Sequence, residues 1–347
     1  MGLPCPMDVW ARFTPPTGDV KAPLQIRPLP PYSHQGISLM REKKMKRLIL
    51  RIGFLMLALG MAMPGFAQLG MFSKEQRLLL TRAWTGDRFE DGRPKVPDSV
   101  LDLMKTVDSE EAWAVLKNNG FNNQFEGGWH VINDGSERMV GRVVTAVFMP
   151  GRPDVDAVIN EQGKKEGRIG HQNCWPIDML APGDVLVVDL FGKNESGTYA
   201  GDNLGTAIFA NSHNGLVVNG SVRDQTGLSI IKGFRVYVKG VDPSALNDVT
   251  LVGINVPIRI GNAMVMPGDV VVSDVEGLTF VPPQLCQRVV DVATLIHFED
   301  EWGHKMLREH HFKPGEIDGK WPQQFIDEFN KWLEEKGTTV RYTTDMK

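Results

Sequence analysis

Two short segments of the sequence carry residue types suited to holding a small anion and a divalent cation. In the first, Gly201 and Asp202 lead into Asn203, Leu204 and an apolar stretch over residues 204–212. A glycine lets the backbone approach a ligand closely, and the free N–H groups that begin a helix favour a carboxylate. The pattern also has a purely structural interpretation, because Asp202 stands where it could cap the helix.

The second segment ends with Arg223 and Asp224, shortly after an apolar run over residues 215–219. Arginine grips a carboxylate through two parallel hydrogen bonds, and aspartate offers the hard oxygen that Mg²⁺ prefers. In open α/β sheets, ligands collect at the carboxyl ends of the strands. Together the segments predict an oxoacid and metal site, although a surface salt bridge or a turn cap would also account for Arg223 and Asp224.

Apolar runs that alternate with helical patterns place both segments in an α/β domain with a layered sheet and helices. Near-continuous apolar runs are typical of strands buried on both faces. We expect strands over residues 140–148, 185–190, 215–219, 249–256 and 270–273. Helices are expected over residues 73–83, 97–118 and 204–212, with loop or weak helix over residues 154–170. A Pro-Gly-Asp turn precedes two of the strands, at residues 182–184 and 267–269, and we interpret both turns as structural.

From residue 287 onward the pattern is helical. The side chains of Trp321, Phe325, Phe329 and Trp332 recur at spacings of 4, 4 and 3 residues, which places them on one helical face. We expect this face to dock on the body of the protein or on a neighbouring subunit.

Composition argues against several other classes of protein. The net charge of −4 gives no basic footprint for nucleic acid. The cysteines lack the C-x-x-C spacing of zinc ribbons and thioredoxin-like sites, and Cys174 and Cys286 are expected to be unpaired thiols. Four histidines lack established ligand spacing and are interpreted as surface side chains: His297, His304, His310 and His311.

The N-terminal region has the pattern of a targeting signal. Residues 1–39 are proline-rich and are interpreted as a non-native or disordered leader. Residues 40–67 combine a basic cluster, an apolar run and the small residues Gly65 and Ala67, which is typical of a cleaved signal peptide. The run is shorter than the roughly 20 apolar residues of a membrane-spanning helix. We therefore expect a periplasmic or secreted protein without a stable membrane anchor.

The spacing of Asp202, Arg223 and Asp224, written Asp-x20-Arg-Asp, resembles the RraA-like family. This family contains class II 4-hydroxy-4-methyl-2-oxoglutarate aldolases, oxaloacetate decarboxylases and the regulator of ribonuclease activity A. The apolar strands over residues 141–147 and 182–189, and the block over residues 255–277, also resemble it. The resemblance implies a central sheet flanked by helices over residues 109–285, with helical extensions over residues 68–108 and 286–347.

The resemblance also implies roles for the individual residues. Asp224 would ligate Mg²⁺ or Mn²⁺, and Asp202 would support the metal through bound water. Backbone N–H groups of residues 201–204 would hold the carboxylate of a small 2-oxoacid, and Arg223 would stabilise the developing enolate of pyruvate. Family members assemble as trimers or as dimers of trimers, so a homotrimer or hexamer is expected.

Two features depart from the family pattern. An acidic residue usually follows the second aspartate by three positions, but here that position is Gly227. The family's general base is a C-terminal carboxylate of a neighbouring subunit, for which Glu299, Asp300 and Glu301 are the candidates. The sequence therefore predicts a metal-dependent lyase that cleaves a C–C bond of a 2-oxoacid, and leaves open a non-catalytic binding or regulatory protein.

Overall fold

A computed structural model describes residues 72–133 and 138–343 of the chain. The leader over residues 1–39 and the signal peptide over residues 40–67 lie outside this range. Among the described residues, no helix combines the length and the apolar character that crossing a membrane requires.

The centre of the fold is a mixed sheet whose middle four strands are parallel and adjacent in chain order. These strands are β3 (Val140–Pro150), β4 (Asp184–Lys193), β5 (Leu216–Val222) and β6 (Val236–Val241). Because the apolar runs of β4 and β5 are buried on both faces, the sheet lies between two layers. Three of these strands confirm the sequence prediction, and β6 was missed.

Antiparallel strands extend the sheet on both sides. On the β3 side lie β10 (Val270–Ser273), β11 (Gly277–Val281) and β1 (Phe125–Gly127), and β2 (His130–Ile132) pairs with β6. The second half of β3 also pairs with β7 (Val249–Ile254). A separate hairpin joins β8 (Ile258–Ile260) to β9 (Ala263–Val265). The short strands β1, β2, β8, β9 and β11 were not predicted, because three to five residues carry little periodic signal.

The first helix, α1 (Lys74–Leu80), is short and exposed except at Arg77. Two further early helices and one late helix form a layer against β10, β11 and the start of β3. They are α2 (Asp98–Met104), α3 (Ser109–Asn118) and α7 (Cys286–Arg308). Their shared core contains Met104, Leu116 and Val289, each with no exposed surface. Asp108 and Glu111 form a capping box at the start of α3.

Three helices cover the face of the parallel strands that bears the candidate site. They are α4 (Pro153–Lys165), α5 (Asp202–Ser212) and α6 (Gln225–Ser229). Ile159, Ile208 and Leu228 bring these helices into one apolar core with the strands. Of the two alternatives expected over residues 154–170, helix is present up to Lys165, since α4 is a regular helix that begins at Pro153. Residues 166–170 lie outside it.

The C-terminal helices α8 (Pro314–Ile317) and α9 (Gln323–Glu335) pack on α7 of the same chain. Phe329 is fully buried, and Trp302, Trp321 and Trp332 surround it at ring-centroid distances of 5.4–5.8 Å. Phe325, Phe329 and Trp332 lie on α9 as predicted, whereas Trp321 precedes this helix. The aromatic cluster packs on α7 of the same chain.

The two Pro-Gly-Asp turns have the same geometry but different electrostatic surroundings. Asp184 accepts from the N–H of Ala181 at 3.0 Å, and Asp269 accepts from the N–H of Met266 at 2.8 Å. Asp184 also pairs with Arg93 at 3.3 Å, whereas no cation of the described residues pairs with Asp269. Burial without a cation raises the pKa of Asp269 to about 8.

Both cysteines of the described part of the chain are free thiols, as predicted. Burial raises the pKa of Cys286 well above its usual range and also raises that of Cys174. Neither thiol is therefore activated as a nucleophile.

Candidate functional site

The candidate site lies at the carboxyl edge of the parallel strands, where α5 begins. Gly201 is the N-cap residue of α5, and its carbonyl accepts the first helical hydrogen bond from Gly205 at 2.9 Å. Asp202 is the first residue inside the helix, and its Oδ1 accepts from the N–H of Asn203 at 2.8 Å. The suggestion that Asp202 caps the helix was therefore wrong in detail, because Gly201 occupies the cap position and makes no side-chain bond.

This arrangement narrows the set of N–H groups that could receive a ligand. The first N–H groups of a helix have no acceptor within the helix, and the helix dipole adds positive potential there. Since the Asp202 side chain already accepts from the N–H of Asn203, the N–H groups of Gly201, Asp202 and Leu204 are the donors that could bind a ligand at the start of α5. A carboxylate is the ligand class that such donors suit.

Arg223 and Asp224 follow β5 and lie beside the same loop. The N–H of Arg223 donates to the carbonyl of Ala200 at 2.9 Å, which fixes the end of β5 against the residue before Gly201. Asp224 adopts a left-handed conformation (φ 54°) and begins α6. The side chains contact one another, with Arg223 Nε 3.4 Å from Asp224 Oδ2, and remain 40% and 47% exposed. The salt bridge considered from the sequence is thus present, and both groups still face solvent.

Two glycines show how closely these side chains converge. A Cβ atom on Gly201 would lie 2.2 Å from Asp224 Oδ2 and 2.9 Å from Arg223 Nε. A Cβ atom on Gly227 would lie 2.6 Å from both Cβ and Oδ2 of Asp202. Gly201 therefore makes room for Arg223 and Asp224, and Gly227 makes room for Asp202. From the sequence, Gly227 was noted only because the family's usual acidic residue is absent there, and its close approach to Asp202 could not be predicted.

The chemistry of the donor set suits a hard divalent cation. Asp224 and Asp202 offer carboxylate oxygens, and the half-exposed position of Asp224 leaves space for water ligands. Mg²⁺ keeps several waters and needs only one or two protein carboxylates. Arg223 and the start of α5 supply the positive groups for an anion next to that cation.

Behind the site, Tyr199 anchors the loop in the core. Its N–H donates to the carbonyl of Ser221 at 2.9 Å, and its carbonyl accepts from Asn173 Nδ2 at 2.7 Å. In the neighbouring segment over residues 171–173, His171 is exposed. Gln172 points away from the site toward α4 and β7, so only Asn173 contacts the site loop.

The candidates for the general base lie elsewhere in the protomer. Glu299, Asp300 and Glu301 are on α7, and the first two line a cavity of about 930 Å³ between α7 and the segment containing α8. Glu301 pairs with Lys336 of the neighbouring α9. None of the residues lining that cavity belongs to the loop over residues 201–204 or to the pair Arg223 and Asp224.

Another group of potential metal ligands joins α3 to α7. Ligand atoms of Asp108, Glu111 and His297 lie within 4.8 Å of one another, and Glu111 Oε1 is 2.9 Å from His297 Nε2. The group sits at the positive end of α3, and Arg138 pairs with Asp108. We therefore interpret it as an ion-paired helix cap. His297 is consequently a helix-to-helix contact and not an isolated surface side chain.

Comparisons with known proteins identify a matching family, similar sequences and similar folds. The sequence model of one family, described as RraA-like: Aldolase/RraA, matches residues 99–280, just over half of the 347-residue chain. A relative from Halalkalibacterium halodurans, which carries the provisional name 4-hydroxy-4-methyl-2-oxoglutarate aldolase, is 31% identical over 128 residues. That match covers 35% of this chain and 57% of the relative, so the chain spans little more than half of the relative's length.

Solved structures share the fold. An uncharacterized protein from Pseudomonas syringae pv. tomato is 22% identical, with a TM-score of 0.52 over 65% of this chain and 95% of that chain. RraAS2 of Streptomyces coelicolor, described as an unusual member of the RNase ES inhibitor RraA protein family, is 26% identical. Its TM-score is 0.51, over 64% of this chain and 99% of that chain. The mixed α/β fold predicted from the sequence is confirmed.

Proposed function

Because this chain belongs to the RraA-like family, we propose that it is a divalent-metal-dependent lyase that cleaves a C–C bond of a small 2-oxoacid to give pyruvate. The observation that carries the proposal is the convergence of Arg223, Asp224 and Asp202 on the glycine-flanked start of α5. A 2-oxoacid carries a carboxylate and an adjacent carbonyl. This site offers anion donors beside oxygen ligands for a cation, which matches those two groups.

Each residue has a distinct task in this proposal. The N–H groups at the start of α5 bind and orient the substrate carboxylate. The guanidinium of Arg223 lies beside the carbonyl oxygen and stabilises the negative charge that develops there as the C–C bond breaks. The backbone of Arg223 is held by its hydrogen bond to Ala200, and Asp224 Oδ2 lies 3.4 Å from the Arg223 Nε atom.

Mg²⁺ or Mn²⁺ is the cation that the residues fit. Asp224 would hold it directly and Asp202 would support it through bound water. When bound, the cation supplies a Lewis acid for the 2-oxo group. Gly227 contributes by leaving the space in which the Asp202 carboxylate lies.

A second copy of the chain would complete the site. In this protomer the acidic residues of α7 line a different cavity, and the family resemblance assigns the proton-transferring carboxylate to a neighbouring subunit. We therefore propose a homotrimer or hexamer in which Glu299, Asp300 or Glu301 reaches the site of a neighbour. The signal pattern over residues 40–67 supports action outside the cytoplasm.

A pyruvate assay tests the proposal. Wild-type protein is incubated with Mg²⁺ or Mn²⁺ and either oxaloacetate or 4-hydroxy-4-methyl-2-oxoglutarate. We expect turnover that is lost in Arg223→Ala and in Asp224→Ala. Arg152→Ala is the matched control, because Arg152 forms an equally local ion pair with Asp154 on the surface. Equal turnover in Arg223→Ala and Arg152→Ala would remove the basis of the proposal.

The alternative is a non-catalytic binding or regulatory protein on the same scaffold. Gly227 favours it, since this position lacks the acid that family aldolases usually carry. The RNase-inhibitor description of the relative from Streptomyces coelicolor belongs to the same class of function. Metal binding without pyruvate formation from either substrate would support the alternative.

A further inference from the structure

The loop that leads into Gly201 is held by a reciprocal pair of hydrogen bonds. Asn173 Nδ2 donates to the carbonyl of Tyr199 at 2.7 Å, and the Tyr199 hydroxyl donates to the carbonyl of Asn173 at 3.0 Å. Each side chain therefore holds the other residue's backbone. The two segments cannot shift relative to one another without breaking both bonds, and we call this pair the Asn173–Tyr199 clamp.

Both members of the clamp are buried and have defined roles as donors. Tyr199 has no exposed surface, and Asn173 is 7% exposed. The Tyr199 ring packs edge-on against Phe148 of β3, with ring centroids 5.9 Å apart. Burial raises the pKa of Tyr199 well above its usual range, so the hydroxyl keeps its proton and remains a donor.

The clamp is attached to the rigid layers of the domain. Gln172, next to Asn173, donates to Asp156 of α4 at 2.7 Å and accepts from the N–H of Leu251 in β7 at 2.6 Å. On the other side, Tyr199 is two residues from Gly201. The intervening carbonyl of Ala200 accepts from the N–H of Arg223. The clamp thus sets the backbone position from which α5 starts.

We propose that Asn173 and Tyr199 are positioning residues, which fix the orientation of the N–H groups at the start of α5 and thereby the affinity for the substrate carboxylate. The inference rests on the proposed function. Among the described residues, no hydrogen bond joins the clamp to the Asp224 side chain, whose Oδ2 lies 3.4 Å from Arg223 Nε and next to Gly201. Loss of the clamp should consequently weaken anion binding and leave cation binding intact.

The test compares Asn173→Leu and Tyr199→Phe with the control Asn211→Leu. Asn211 Nδ2 donates to the carbonyl of Ile177 at 3.0 Å, so the control removes a similar bond to the same segment away from the site loop. The readouts are calorimetric affinities for Mn²⁺ and for oxalate, which mimics a pyruvate enolate, and hydrogen exchange of residues 199–204 without ligand. Where turnover is measurable, KM and kcat are separated.

We expect Asn173→Leu to weaken oxalate binding and raise KM by about tenfold, and to speed exchange of residues 199–204. Mn²⁺ affinity should stay within about twofold of wild type. Tyr199→Phe, which keeps the ring, should show smaller changes of the same kind in oxalate affinity, KM and exchange. If Asn173→Leu does not fold, Tyr199→Phe serves as the test of the clamp. The control should match wild type in oxalate affinity and exchange.

Two results would overturn the inference. One is Asn173→Leu behaving like Asn211→Leu, and the other is a parallel loss of oxalate and Mn²⁺ affinity, which would indicate general loosening. A wild-type protein that binds oxalate but forms no pyruvate contradicts the proposed lyase only. In that case, and also if oxalate does not bind, hydrogen exchange of residues 199–204 in Asn173→Leu and Asn211→Leu still tests whether the clamp positions the loop.

Discussion

Substitution of Gly201 by alanine separates the function of the site from the stability of the fold. Gly201 has an extended backbone (φ −114°), which alanine adopts without strain. The added Cβ would lie 2.2 Å from Asp224 Oδ2, whereas ordinary contact begins at 3.4 Å. Asp224 must therefore move by about 1 Å, and a misplacement of that size costs on the order of a hundredfold in rate.

The expected cost in stability is much smaller. The closest clashing atom, Asp224 Oδ2, is at the end of a half-exposed side chain, and the Arg223 atoms Nε and Cγ belong to another half-exposed side chain. Both side chains can rotate toward solvent. Replacing glycine by alanine at a helix N-cap costs about 1 kcal/mol, or roughly 2–4 °C in melting temperature for a domain of this size. We therefore predict that Gly201→Ala loses on the order of a hundredfold in kcat/KM, about 2.7 kcal/mol of transition-state stabilisation, with a nearly unchanged melting curve.

The assay is metal-dependent pyruvate formation, measured together with thermal unfolding. Gly315→Ala is the matched control, since a Cβ at Gly315 would meet nothing within 4 Å. Wild-type kcat/KM in Gly201→Ala would refute the reasoning, because it would mean that the positions of Arg223 and Asp224 do not matter. A large drop in melting temperature would show that the loss of activity is only a loss of folding.

Three further predictions concern the support of the site and of the fold. Gly227→Ala should lower both the activity and the free energy of unfolding, because the new Cβ clashes with Asp202 Cβ, which is too close to the backbone to move away. The loss in the free energy of unfolding should be about 1–3 kcal/mol, measured by denaturant unfolding. Asp269 has a pKa of about 8 in the folded protein and an ordinary pKa when unfolded, so the folded protein keeps a proton that the unfolded chain releases. The free energy of unfolding should therefore decrease as the pH rises from about 4 to 8, by up to roughly 1.4 kcal/mol per pH unit. Asp269→Asn, which still accepts from the N–H of Met266, should flatten that profile in melting scans across pH. Phe329→Ala should cost about 3–5 kcal/mol in the aromatic cluster of the C-terminal helices, seen as faster hydrogen exchange over residues 286–343.

Each of these predictions has an outcome that contradicts it. For Gly227→Ala it is unchanged kcat/KM with unchanged unfolding. For Asp269→Asn it is a pH profile that follows wild type, which would show that this carboxyl does not hold its proton through neutral pH. For Phe329→Ala it is a loss of protection spread evenly over the sheet, since the cluster packs against α7 and the C-terminal helices alone.

The parts of the fold that the sequence predicted are those with long periodic signals. The strands β4 and β5 and the helix α3 could be predicted because their apolar residues, on both faces of a strand or on one stripe of a helix, form a pattern over at least seven residues. The hairpin of β8 and β9 could not be predicted, because a strand of three residues is too short to show a periodic pattern. Residues 154–165 were underestimated because Gly163 lies inside the helix, where the Trp175 ring packs against it.

The candidate site was predictable as a set of residues and not as a geometry. Asp202, Arg223 and Asp224 stood out because their types and spacing suit an anion and a cation at strand ends. The roles of Gly201 and Gly227 could not be predicted, because the side chains of Asp224 and Asp202 that occupy the space beside them come from other parts of the chain. The hydrogen bond of Asn173 could not be predicted for a similar reason, because its partner Tyr199 is 26 residues away and the bond runs to a backbone carbonyl.

The most direct test of the central claim is Mn²⁺-dependent pyruvate formation from oxaloacetate by wild type and Asp224→Asn, with Mn²⁺ affinity measured on the same samples. Asp291→Asn, a substitution of a surface carboxylate on α7, serves as the control. We expect Asp224→Asn to lose Mn²⁺ binding and turnover together, and Asp291→Asn to keep both. Mn²⁺ binding and turnover that survive in Asp224→Asn at wild-type levels would contradict it.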